Sequence, residues 1–244
     1  MQSRLDIGGV IRRVFEIYVD QASVLMPAAA AVFVVTGIIS AVLAATGSFI
    51  GVLLALVISL VAGTLFTGMV VELVADVQDG RRDASPGQLL RAATPVIGQL
   101  ILVGIVAGVG IVIGFFLIIV PGLILITIWS VAAPVVVLER PAGLGALGRS
   151  RELVRGSGWQ VFGVIVVLDV LVTIVAAVVD GIANSAGTGA GIVVRVIVGV
   201  LTAPITALAS AVLYFDLRKL AGAQPPVVGP TDVGPTGHDP MRAG

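Results

Sequence analysis

Residues 21–71 form a run of 51 positions without a charged side chain, and residues 92–138 form a second run of 47. Few architectures accommodate such runs. One membrane-crossing helix needs about 20 apolar residues, so each run is too long for a single span and suits two spans with a turn between them. The apolar stretches 159–179 and 192–215 supply a third pair. With 58% hydrophobic and 11% charged residues among 244, and a mean hydropathy of +1.15, the chain carries more apolar surface than a soluble core of this size could hide. A soluble enzyme and a nucleic-acid binder are excluded on composition. The expected fold class is all-α, a polytopic integral membrane protein of six transmembrane helices.

The six helices are expected near 22–45, 50–77, 94–120, 123–138, 159–179 and 192–215. Turns are read at Thr46-Gly47-Ser48, at Pro121-Gly122, and over the loop Asn184-Ser185-Ala186-Gly187-Thr188-Gly189. Arginines set the orientation. Arg4, Arg12 and Arg13 precede the first helix, Arg81, Arg82 and Arg91 follow the second, and Arg140, Arg149, Arg151 and Arg155 follow the fourth. Arg218, Lys219 and Arg242 follow the sixth, so every basic residue but Arg195 falls on one face, which the positive-inside rule makes cytoplasmic. The expected location is the cell (cytoplasmic) membrane, with both termini in the cytoplasm. Residues 1–20 show no apolar stretch or cleavage site of a signal peptide. Thirteen arginines against one lysine, with abundant Ala, Gly and Val, point to a GC-rich, bacterial genome.

Each hairpin is preceded by a short amphipathic segment. In residues 1–20, Ile7, Val10, Ile11, Val14, Phe15, Ile17 and Tyr18 share one side of a helix, with Arg12, Arg13, Glu16 and Asp20 opposite. Ser85-Pro86-Gly87-Gln88 opens a second such segment, about 85–93, with a capping-box pattern. The third, about 143–155, turns Leu147, Ser150, Leu153 and Val154 one way. Helices of this kind lie in the membrane interface. The second helix of every hairpin also ends in apolar residues followed by an acid and a base, at Asp76, Glu139 and Asp216. The expectation is a membrane domain, 21–218, of three hairpin repeats with interfacial amphipathic helices. Residues 219–244, rich in proline and glycine, are expected to be a disordered cytoplasmic tail.

Several stretches carry a family pattern: Pro121-Gly122-Leu123-Ile124-Leu125, Trp129, Ala133-Pro134-Val135-Val136-Val137-Leu138-Glu139, Gly148-Arg149-Ser150-Arg151-Glu152-Leu153-Val154-Arg155-Gly156 and Trp159-Gln160-Val161-Phe162-Gly163. With the opening Ile7 to Tyr18 and the closing Leu213 to Arg218, they make the chain resemble the glycerophosphoryl diester phosphodiesterase membrane domain family. The resemblance implies a membrane architecture and no catalytic residues. The barrel-shaped catalytic domain of the family's namesakes needs about 250 residues and several histidines, and this chain has one histidine, in the tail.

Asp169 is the most unusual residue, because a carboxylate near the middle of a span costs about 2.5–3.5 kcal/mol. Either it serves a proton or cation pathway, or it joins helices through Ser40, Ser59, Thr173 or Thr206. Arg195 is placed to snorkel or to pair with Asp180 across the outer loop. Glu72, Asp76 and Asp79 form an acidic stripe expected to pair with nearby arginines. Arg12, Arg13, Arg149, Arg151, Arg155 and Trp159 are the candidate membrane-surface or partner contacts. Pro134 and Pro204 are read as helix kinks. Two GxxxG motifs, Gly104 to Gly108 and Gly110 to Gly114, permit close helix packing within the bundle. The absence of cysteine removes thiol chemistry, and phosphate-loop, catalytic-triad and zinc patterns are absent. No cofactor or metal is expected.

The functional expectation is a non-enzymatic membrane organiser or partner-binding module. Its partners are the lipid bilayer and a membrane protein or second copy, and nucleic acid is excluded. The alternatives are a small transporter or channel moving a small solute, or a lipid-handling protein, using Asp169.

Overall fold

The apolar runs are helical almost throughout. A computed structural model describes residues 5–79, 86–141, 143–185 and 188–222. Arg4, Arg81, Arg82, Ser85, Arg242 and the expected tail from residue 223 onward lie outside the described residues. The described elements are α1 (Ile7–Asp20), α2 (Ala22–Ala45), α3 (Phe49–Gln78), α4 (Pro86–Ala93), a 3-10 turn (Thr94–Val96), α5 (Ile97–Leu117), α6 (Ile119–Trp129), α7 (Ala132–Leu138), α8 (Gly145–Val154), α9 (Gly158–Ser185) and α10 (Thr188–Gly222). Among the described residues, six helical stretches are long and apolar enough to cross a membrane.

The α2–α3 turn falls where expected. Gly47 takes a positive φ of 63°, and the Ser48 hydroxyl caps α3 by accepting from the Gly51 N–H at 3.0 Å. The second reversal does not lie at Pro121-Gly122. It turns on the single extended residue Ile118 (φ −162°, ψ 147°), and Pro121 is the third residue of α6, where its missing N–H would have had no helical acceptor. Gly122 serves packing instead: a Cβ on Gly114 would lie 3.1 Å from the Gly122 backbone, so the two glycines bring α5 and α6 together. A Cβ on Gly110 would meet the Trp129 ring at 2.7 Å. The second GxxxG motif is thus used inside the chain.

The fourth expected helix is divided at Ser130-Val131 into α6 and α7. Pro134 does not kink a continuous helix; it sits in the first turn after the break, and lacking an N–H it cannot bond back to Ser130. The break leaves the Ile128 carbonyl without its usual helical donor, and the Ser150 hydroxyl of α8, wholly buried, donates to it at 2.8 Å. Replacing Ser150 with alanine is expected to cost about 1–2 kcal/mol by orphaning that carbonyl; an unchanged melting temperature of the purified variant would show the break closed by other means. α10, by contrast, runs unbroken through Pro204, and the Tyr18 hydroxyl donates to the neighbouring Leu201 carbonyl at 3.0 Å.

The two arms of each hairpin lie side by side, and α10 packs against α1, α2, α3, α7, α8 and α9. The deepest core, including Phe66, Val71, Val74, Val135, Val136, Leu208, Val212 and Tyr214, belongs to the halves of α3, α7 and α10 nearer the charged end. Toward the other end, large apolar side chains such as Val35, Leu56, Val109 and Val170 face outward. The short helices direct their apolar faces into this bundle and not away from it. Val10, Val14 and Ile17 of α1, Leu89 and Ala93 of α4, and Ala146, Leu153 and Val154 of α8 are all buried.

Candidate functional site

The charged end is organised by how α7 stops. The Glu139 and Arg140 N–H groups both donate to the Val135 carbonyl, at 2.9 and 3.2 Å, and Arg140 occupies the left-handed region with φ 48° before Pro141. A non-glycine residue there costs about 1 kcal/mol. The turn directs the Glu139 carboxylate beneath the bundle, where one oxygen accepts from the buried Tyr214 hydroxyl of α10 at 2.9 Å and the other from Arg149 Nε of α8 at 2.9 Å. Arg149 also donates to Glu152 at 3.3 Å, and Arg218 reaches the Tyr214 hydroxyl at 3.4 Å. The hydrogen bond to Glu139 raises the pKa of the Arg149 guanidinium, which keeps its charge.

Further contacts fasten the other elements at the same end. Arg13 of α1 pairs with Asp216 of α10, Lys219 donates to Gln78 of α3 at 3.4 Å, and the Gln99 amide of α5 donates to the Pro141 and Gly143 carbonyls. Arg140 lies within electrostatic reach of Glu72, and Asp76 and Asp79 each have an interaction partner. Chemically this is a clamp. Both Glu139 oxygens are engaged by donors, which leaves that carboxylate unsuited to proton abstraction, and no group of three or more metal-ligating side chains occurs among the described residues.

The candidates from the sequence are dispersed. Arg13 and Arg149 belong to the clamp, and Arg12 pairs with Glu16 along α1 at 2.9 Å. Arg151 and Arg155 are exposed, as is Trp159, 83% accessible and edge-on to Phe162 at 5.8 Å. Asp180 has an interaction partner, and the side chain of Arg195 lies outside the described residues. Asp169 is exposed on α9 and has no hydrogen-bond or ion-pair partner among the described residues. Three of its four expected partners are engaged elsewhere: Ser40 and Ser59 bond to each other at 3.2 Å, and Thr206 bonds to the Ala203 carbonyl.

A crevice of about 220 Å³ opens between α2, α3 and α10, lined by Phe33, Thr36, Gly37, Ser59, Val196 and Gly199. Its Thr36 and Ser59 hydroxyls are bonded to Val32 and Ser40, leaving apolar walls. Sequence reading missed Tyr214 as the partner of Glu139 and Ser150 as the cap of a helix break; the available signal was a lone polar group on an otherwise apolar face in each case.

No curated protein and no solved structure matches the chain. The family model described as Domain of unknown function (DUF8558) matches residues 89–217, from α4 to the clamp residues of α10. That stretch is over half of the chain and takes in Glu139, Arg149 and Tyr214, so the protein belongs to the DUF8558 family.

Proposed function

We propose that this protein is a non-enzymatic, multi-pass membrane scaffold that engages a protein partner within the bilayer. Its six apolar helices make three hairpin repeats, each led by a short helix: α1, α4 or α8. The clamp lies on the cytoplasmic side of the cytoplasmic membrane, as the arginine distribution favours. Kinship with glycerophosphoryl diester phosphodiesterase membrane domains is part of the proposal, and it concerns architecture alone.

The observation that carries this reading is Asp169. It stands at the midpoint of the span Gly158–Gly181, exposed on the outside of the bundle and without an internal partner. A transport carboxylate would be expected to face a polar cavity inside the bundle, whereas one facing outward in hydrocarbon calls for a neighbour. The cysteine-free chain permits a direct test. With Asp169→Cys, a membrane-impermeant thiol reagent should leave the site unlabelled, while Phe49→Cys, at an 82% exposed position beside the α2–α3 turn, should label readily. Rapid labelling at position 169 would put water at mid-span and favour the transporter or channel.

Lipid handling has a specific observation of its own, the apolar crevice between α2, α3 and α10. One defined lipid retained per chain through purification would move that reading ahead.

A further inference from the structure

Asp169, Thr173, Ala177 and Gly181 recur at every fourth position of α9, and all four are exposed along one ridge. Two features separate this ridge from the other outward faces. Thr36, Thr64, Thr67, Thr127, Thr202 and Thr206 each direct the hydroxyl to a carbonyl of their own helix. Thr173, one turn from Asp169, makes no such bond, so two successive polar groups on the ridge have no hydrogen-bond partner among the described residues. Beyond them, Ala177 and Gly181 are small enough for another backbone to come close. Faces such as Val35, Ile38 and Val42 of α2, or Val109 and Val112 of α5, expose apolar side chains that have no hydrogen bond to make.

We propose that this ridge docks a second copy of the chain, α9 against α9, with the two Asp169 carboxyls hydrogen-bonded to each other across a two-fold axis. The proposal rests on the membrane-partner reading above and names the partner. Residues near the axis of such an interface meet their own counterparts. A carboxyl holding its proton is both donor and acceptor, as is the threonine hydroxyl, so the ridge is complementary to itself at two consecutive turns. Small residues on the following two turns let the helices approach closely enough for those bonds.

The test uses the full chain in vesicles, with Ala177→Cys as reporter and Val109→Cys on α5 as the control for random collision. Under a mild oxidant Ala177→Cys should form a disulfide dimer about tenfold faster than the control; adding Asp169→Leu should lower that rate about tenfold, the scale of interhelical hydrogen bonds in a bilayer. Asp169→Asn, whose amide also donates and accepts, should preserve it. Monodisperse, aggregate-free size-exclusion profiles would show that the variants fold. Equal rates at Ala177→Cys and Val109→Cys, or a dimer indifferent to Asp169→Leu, would overturn the pairing. If a photocrosslinker at position 173 then joins a different membrane protein, self-pairing falls and the partner reading stands. Water labelling of Asp169→Cys removes both.

Discussion

Replacing Glu139 with alanine is expected to lower the melting temperature of the detergent-purified protein by about 5–10 °C, for a loss of about 2–3 kcal/mol. Most of the loss comes from the Tyr214 hydroxyl, which is wholly buried and would have no acceptor. The ion pair contributes less, because the Arg149 side chain is 40% exposed and its attraction to Glu139 is screened by water. Glu139→Gln separates the two contributions. It keeps an acceptor for Tyr214 and removes the charge, so it should cost only about 1 kcal/mol. Equal losses for the alanine and glutamine variants would show that charge, and not the buried hydroxyl, holds the clamp. Adding Tyr214→Phe to Glu139→Ala should recover much of the loss, since the orphaned group is then gone.

Gly114→Leu is expected to cost about 3 kcal/mol, the upper end for overpacking a close helix contact. Even a Cβ there would stand 3.1 Å from the Gly122 backbone and 3.0 Å from Leu125, and backbone cannot swing aside as a side chain can. The arms of the second hairpin would have to part, and the variant should aggregate on extraction into detergent. Gly108→Leu is the matched control. A Cβ at Gly108 meets nothing within 4 Å, and leucine is the better helix former, so this variant should extract as a monodisperse protein. If Gly108→Leu aggregates equally, the outward face of α5 is itself a contact surface.

The two charge-free runs and the arginine clusters were enough to give the number of long helices and the limits of α2, because a charge inside a long apolar run leaves a clear mark. Local breaks were harder to read. Pro121-Gly122 resembles a turn, yet proline is tolerated in a first helical turn and the glycine is needed for contact with Gly114. The division at Ser130-Val131 carries no glycine or proline of its own, and Pro134, three residues on, suggests a bend in a continuous helix. Acids at the ends of the hairpins were visible, but not the pairing of Glu139 with Tyr214, 75 positions away. Asp169 stood out at once, and its direction did not. A helix that is apolar on every side has no polar face to show which way it turns.

α10 follows every other described helix in the chain, and six of them pack against it. Nascent chains generally fold from the N-terminus as they emerge, yet here the buried sides of α3 and α7 have no complete cover until residues 208–217 arrive. The long helices made earlier must therefore stay a loosely associated set until α10 joins them. A chain truncated before α10 would present that uncovered seam to chaperones and proteases, which makes α10 the checkpoint of biogenesis.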